Sequence, residues 1–492
     1  MNHPLLYEIN TRCWLRELSE RAGRLLTLAE VPAAELARWV QLGFTHVWLM
    51  GVWPSGPRSR AAAHASPGLR QDFERVLPGW REDDVSGSPY AIAGYTVADN
   101  LGDEAALQQF RQQLHRQGLK LVLDFIPNHL GLDHPWLQQY PEYFVRSPGP
   151  LPDTWRLDTA QGAGWIAHGR DPYFPAWTDT AQLDYRRADT RQAMLAQLQS
   201  VAARCDGVRC DMAMLLLNEV FARTWAGFPG ELGPEPEFWG EAIAAVKRRQ
   251  PDFLFLAEAY WGLEARLQTL GFDYTYDKSL RDLLCEQRPA DVQRHLLQTP
   301  PGRVAAGAHF LENHDEPRVA GRLGLAEHRA AALVVLGLPG LRLLHEGQLT
   351  GARVRTPLQL TRRPAEPPAP DLARFYQETL EILADNDVGR GQGRLLRPAP
   401  AWPGNGTHLD LVLVQWQSAL PEFDLVVVNL SPHRAQAYAP LSAPALASYN
   451  WSVRDLLGTE RWERFGNALE RQGFYLDVGP FAAQLFHFAP IR

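Results

Sequence analysis

Three carboxylates and one arginine are the first chemistry this sequence offers. Asp211 closes the run Gly207-Val208-Arg209-Cys210-Asp211, Glu258 closes Phe255-Leu256-Ala257-Glu258, and Asp315 ends Glu312-Asn313-His314-Asp315. A fourth segment, Asp124-Phe125-Ile126-Pro127-Asn128-His129, adds a carboxylate and a histidine. Each apolar run has the pattern of a strand buried on both faces, and each polar group falls where such a strand finishes. Cleavage of a glycosidic bond through an oxocarbenium-like transition state needs such a set: one carboxylate as nucleophile, one carboxylic acid to protonate the leaving oxygen, and a third to grip sugar hydroxyls. Arg209, two residues before Asp211, shares its strand face. Spacing therefore makes it the cation that keeps Asp211 ionised while the crowded Glu258 retains its proton. Any one of these carboxylates could equally be a strand cap or an ion-pair partner; their convergence is what points to catalysis.

The elements that must position these groups follow from the same periodicity. Eight buried runs recur: Leu6 to Ile9, His46 to Met50, Leu119 to Ile126, Gly207 to Asp211, Phe253 to Ala257, Phe272 to Tyr276, Ala306 to Leu311 and Leu341 to His345. Helical patterns lie between them, as in Asp103 to Gln117 and Asp189 to Arg204. Strands alternating with helices predict an α/β fold, a (β/α)₈ TIM barrel whose site lies at the C-terminal strand ends. His129 to Gly207 is longer than a crossover needs, so residues 130–185 are expected to form an irregular insertion after the third strand. Residues 1–129 and 186–387 then make the barrel, closing with a helix over Asp371 to Asp385. A second excursion, Val52 to Gly94, is expected to be a loop lining the site. From residue 388 to 492 the pattern turns to alternating strands, predicting a C-terminal antiparallel β-sandwich.

Composition narrows the partners. A net charge of -7 gives no basic face for nucleic acid. The stretch Ala330 to Leu344 is too short and too broken to span a bilayer, and the opening residues lack a secretory pattern. A cytoplasmic, membrane-free protein is the expectation, of undetermined oligomeric state. Cys13, Cys205, Cys210 and Cys285 show no metal spacing and are expected as thiols; alternation turns Cys210 away from the site as core filler.

The four segments DFIPNH, GVRCD, LAEA and ENHD resemble, in order and separation, the signature regions of the α-amylase family, glycoside hydrolase family 13. The resemblance implies a retaining mechanism with Asp211 as nucleophile, Glu258 as acid/base and Asp315 as the carboxylate holding the distorted sugar. It also implies that His129 and His314 bind hydroxyls, that Arg209 holds the nucleophile, that Asp124 supports Arg209, and that Tyr90 is an aromatic platform under the glucose. Asn313 to Gly324 looks like the α-glucosidase branch, where Arg318 would contribute to the glucose pocket. Gly87 to Ile92 and Asp133 to Trp136 look like the maltosyltransferase branch. Where many endo-acting amylases have a Lys-His pair, this chain has Met212-Ala213-Met214-Leu215-Leu216. Met214 and Leu215 are expected as an apolar floor on the acceptor side, with no calcium, since thioether and aliphatic groups cannot ligate a hard cation. The implied substrate is an α-glucoside or malto-oligosaccharide, without cofactor. The first expectation is a retaining α-glucosidase or amylase-like hydrolase of short α-linked glucosides, the second a transglycosylase with the same catalytic residues, and the last, because every carboxylate is present, an inactive sugar-binding scaffold.

Overall fold

The computed structural model describes residues 3–160, 162–230 and 236–491. Eight parallel strands close into a barrel: β1 Leu5–Asn10, β2 His46–Met50, β3 Lys120–Phe125, β4 Gly207–Cys210, β5 Leu254–Ala257, β6 Tyr274–Tyr276, β7 Gly307–His309 and β8 Leu341–His345. Each strand pairs with its sequence neighbours, and β8 closes on β1 with Leu6 opposite Leu343. The predicted sixth and seventh strands are shorter than their apolar runs, because Phe272, Phe310 and Leu311 are buried by packing rather than by ladder pairing.

Period-two alternation sorts the barrel residues into two layers. Leu6, Trp48, Val122, Leu256, Tyr276 and Leu343 fill the interior, while Ile9, Val47, Leu49, Leu123, Val208 and Cys210 face the surrounding helices. Cys210 is thus core filler, as its position in the alternation predicts.

The excursion after β2 is not a bare loop. It folds into two helices, Pro57–Ala65 and Pro67–Val76, with Ser66 accepting a hydrogen bond from Leu69 N. Each helix begins on a proline, whose missing N–H costs nothing in a first helical turn; that pair was a legible start signal. The insertion is rooted by an antiparallel pair, His129–Gly131 with Thr180–Gln182, and carries a three-stranded sheet of Arg146–Ser147, Gly162–Ala167 and Thr154–Thr159. Gly131 lets the turn bearing Tyr90 dock on that root: its N–H donates to Ile92 O at 2.8 Å, and a Cβ there would lie 2.5 Å from Ala91 O.

Beyond the helix Pro370–Ala384, a six-stranded antiparallel sheet faces a three-stranded one across a core that includes Leu413, Leu425, Leu476, Phe486 and Phe488. The larger sheet consists of Gln392–Leu396, Leu411–Gln417, Phe423–Asn429, Ala483–Ile491, Asn450–Asp455 and Arg461–Phe465, in that order. The sheet's other face locks onto the barrel helix Leu325–Gly337, where Trp416 Nε1 donates to Gly337 O at 2.7 Å.

Candidate active site

The polar groups at the C-terminal strand ends converge on a cavity of about 420 Å³, within the range of about 300–1,000 Å³ usual for small-molecule sites. Asp211, Glu258, Asp315, Tyr90 and His129 line it together with Met212, Trp177, Asp179 and Gln359. Backbone ladders reach one residue past the strands to hold the carboxylates: Asp211 N donates to Phe125 O (2.9 Å) and Glu258 N to Cys210 O (3.1 Å).

Arg209 lies fully buried beneath both. Its Nη1 donates to Asp211 Oδ1 at 2.8 Å, and its Nη2 stands 2.7 Å from Glu258 Oε2. The guanidinium therefore does not belong to Asp211 alone, and the expected asymmetry of one paired and one unpaired carboxylate is corrected. Burial pushes both Asp211 and Glu258 above the ordinary carboxylate range, with Arg209 opposing it in each case. Glu258 has two further bonds: Tyr260 Oη donates to Oε1 (2.7 Å) and Met212 N to Oε2 (2.8 Å). Met212 adopts a positive φ of 44°, a strained turn that aims its N–H at the acid. Asp124 sits 3.6 Å from Arg209 Nη1, and burial raises its carboxyl to about 7 despite the guanidinium.

Asp315 departs from the other two. The surrounding protein alone would raise its carboxyl, though the side chain is 42% exposed, but the charge and hydrogen bond of His314, 3.0 Å away, together with Arg209 and Arg355 outweigh that and bring it to about 2. His314 loses charge to burial yet gains more from Asp315 on one side and Glu8 on the other, and stands at about 10. Tyr90 stacks on the His314 ring with centroids 5.4 Å apart and places Oη 2.8 Å from Nε2. His129 is the contrasting histidine: burial lowers it to about 4, so it presents a neutral ring, packed on Trp177. The neutral His129 thus lines the cavity, whereas the imidazolium of His314, expected to bind a hydroxyl there, is buried behind Tyr90 and Asp315 because Glu8 holds its other nitrogen.

Two expectations need correcting. Arg318 does not face this cavity. It is buried behind it, donating to Glu312 Oε1 (2.7 Å) and Glu346 O (2.6 Å), because the buried Glu312 carboxylate offers a partner that the pocket does not. Met214 and Leu215 do not floor the acceptor side either. They pack into the core in the 3₁₀ turn Ala213–Leu216, leaving Met212 as the residue of that segment on the cavity. The turn offers no oxygen-bearing side chain to a hard cation, and among the described residues no group of three His, Cys, Asp or Glu could hold a metal.

Sequence reasoning missed Glu8, Tyr260 and Tyr276, whose hydroxyl accepts from Arg209 Nε at 3.3 Å. Glu8 was findable as the lone carboxylate inside the apolar strand β1. The tyrosines depend on contacts across the barrel, which no local pattern records.

Comparison with known proteins agrees with this architecture. The family model of the α-amylase catalytic domain matches residues 38–366. The chain is 29% identical over 276 residues to an α-amylase, MalA, of Haloarcula japonica, covering 53% of this chain and 36% of that protein. It is 25% identical over 468 residues to an α-1,4-glucan:maltose-1-phosphate maltosyltransferase of Burkholderia pseudomallei, covering 89% of this chain and again 36% of the relative. The chain thus spans about a third of either relative's length. A noncanonic maltogenic α-amylase of Thermotoga neapolitana, AmyB, superposes with a TM-score of 0.68 over 99% of both chains at 17% identity, a likeness of fold.

Proposed function

The chain belongs to the α-amylase family, and from that premise we propose that it is a retaining glycoside hydrolase of short α-linked glucosides. The observation that carries the preference for short substrates is the narrowing of a cavity that stays open on one side. Ala62, Ala63, Ser66 and Leu69, from the two helices after β2, and Trp177 to Thr180 of the insertion wall it in, leaving about 420 Å³ around the carboxylates. In the proposed reaction Asp211 attacks the anomeric carbon as the bond to the leaving oxygen breaks, and Glu258 gives that oxygen its proton. A glycosyl ester on Asp211 results. Glu258, now a carboxylate, takes a proton from water, whose oxygen attacks the same carbon and expels Asp211. Arg209 spanning Asp211 and Glu258 supports this reading, since a retaining pair must stand close, about 5–5.5 Å apart. Asp315 and His129 would bind ring hydroxyls, with Tyr90 under the sugar face and His314 behind both Asp315 and Tyr90.

A second reading, transfer of the glycosyl group to a sugar or phosphate instead of water, is favoured by one observation. Tyr173 of the insertion and Trp261, three residues past Glu258, form an edge-to-face pair with centroids 4.9 Å apart while 59% and 37% exposed. An aromatic surface on the loop that carries the acid suits a stacked acceptor sugar. The maltosyltransferase relative is in keeping with it. A cytoplasmic location is proposed on the four free thiols, three of them buried; no described helix is long and apolar enough to cross a membrane.

Product chromatography after incubation with maltose, maltotriose, trehalose, sucrose and soluble starch, with and without phosphate, separates the readings. Free glucose or maltose from the short substrates supports hydrolysis. Longer oligosaccharides or a sugar phosphate support transfer, and rapid loss of starch viscosity before small sugars appear sinks the short-substrate preference.

A further inference from the structure

Behind His314 lies a carboxylate that the reaction above does not use. Glu8 is fully buried in the middle of β1, and its Oε1 accepts from His314 Nδ1 at 2.5 Å and from His314 N at 3.2 Å. Among the described residues nothing hydrogen-bonds its other oxygen. A buried carboxylate is costly unless a charge answers it, and the group answering this one is the histidine. On the far side of that imidazole, Nε2 meets Asp315 Oδ2 at 3.0 Å and Tyr90 Oη at 2.8 Å. Glu8, His314 and Asp315 therefore form one line from β1 to the cavity. An imidazole between two carboxylates can satisfy both only as a double donor, that is, as imidazolium.

We propose that Glu8 is a positioning residue whose negative charge keeps His314 an imidazolium, and that through it Asp315 is held ionised and oriented to accept sugar hydroxyls. The proposal rests on the reading of this cavity as a glycosidase site. Other groups around His314 are Asp124 on β3, Arg209 and Asp211 on β4 and His345 on β8, with the Trp48 ring edge-on at 5.5 Å. His345 and His314 both pull the Glu8 carboxyl below its ordinary range; burial and then Arg318 drive His345 well toward its neutral form, whereas His314 is the one that hydrogen-bonds Glu8, through both its ring and its backbone N–H. Asp124 and Asp211 each face Arg209 more directly than His314. Glu8 and Asp315 are the carboxylates in contact with the ring itself.

Glu8→Gln tests charge apart from shape, since the amide oxygen can still accept from Nδ1. The histidine contribution is fully present below the ordinary imidazole range and lost as pH rises through the folded-state value, so the variant's defect must grow with pH. With 15N-labelled histidine and the His314→Gln variant to assign the signal, the His314 ring in wild type should carry protons on both nitrogens at pH 8; in Glu8→Gln it should be neutral there. With 4-nitrophenyl α-glucoside, kcat/KM of Glu8→Gln should fall at least tenfold at pH 8 and return toward wild type near pH 5.5. A loss equal at all pH values would show Glu8 to be only a structural prop. A doubly protonated ring at pH 8 in Glu8→Gln would overturn the proposal, as would a neutral ring in wild type, which needs no variant to fold. The ring titration uses no substrate, so a chain that hydrolyses no glucoside would sink the glycosidase reading and leave this charge claim decided by the spectrum.

Discussion

Two charge-rich cavities among the described residues invite comparison, and the larger is not the catalytic candidate. The rear one, about 860 Å³, lies among the helices Thr11–Ala22 and Ala33–Gln41 and the segment after β8; the cavity at the strand ends holds about 420 Å³. Both are rich in charge, and they differ in how the charge is balanced. At the rear, Arg363 pairs with Glu17 and Glu346, Arg21 with Glu35, and Arg16 and Arg362 both with Asp84. At the front, Asp124, Asp211, Glu258 and Asp315 share one guanidinium and one imidazolium. Matched pairs hold a fold together, whereas Asp211 and Glu258, raised together over one shared guanidinium, can trade a proton, which is what acid–base chemistry requires. Volume marks a space; the imbalance marks the reaction.

The largest effect that would sharpen this contrast is at the nucleophile. Asp211→Asn removes the attacking charge at nearly constant shape and should lower kcat by about a thousandfold or more, with fold and sugar binding retained. Activity within tenfold of wild type would remove Asp211 from its role. Glu258→Gln should cost about 10²–10⁴-fold on natural glucosides, and much less on substrates with good leaving groups that need little protonation. Equal losses on both substrate types would place the acid elsewhere.

The rear cavity should respond in the opposite currency. Arg363→Met leaves the buried Glu346 without its cation, and breaking a buried pair costs about 3–5 kcal/mol. The denaturant midpoint should fall accordingly, while kcat/KM at the unfolding-free temperature stays within about threefold of wild type. A large loss of turnover with intact stability would mean that the rear charges serve the reaction, and the contrast would break.

Much of the front cavity was legible because strand ends are local. Asp211, Glu258 and Asp315 each follow an apolar run, and Arg209 two residues upstream had to share a face with Asp211 by alternation alone. The barrel was legible for the same reason, down to β6, whose short pairing still sets Leu256 opposite Tyr274. What stayed hidden depends on three-dimensional closure. Arg318 follows Asp315 closely in sequence, yet its direction was decided by Glu312 and by the carbonyl of Glu346, 28 residues away. The walls of the cavity come from helices 57–76, which were expected as loop, and Arg209 reaches Glu258 only because β4 and β5 are adjacent in the barrel.

The smallest effect is a slope rather than a loss, and it tests whether the front cavity stores unfavourable charge. Burial lifts the Asp124 carboxyl from 3.8 to about 7, with Arg209, His314 and the Trp48 indole pulling the other way. For an acid whose folded value exceeds its unfolded value, the folded state binds more protons, so stability falls as pH rises between the two values. Here that window runs from 3.8 to about 7. Asp124→Asn keeps the shape and removes the titration, so its melting temperature should gain on wild type progressively from pH 4 to pH 7, by about 1–3 °C. The comparison is internal to each pH, which cancels titrations common to both proteins. If wild type instead gains on the variant as pH rises, the Asp124–Arg209 attraction outweighs burial, and the front cavity is better matched in charge than its geometry indicates.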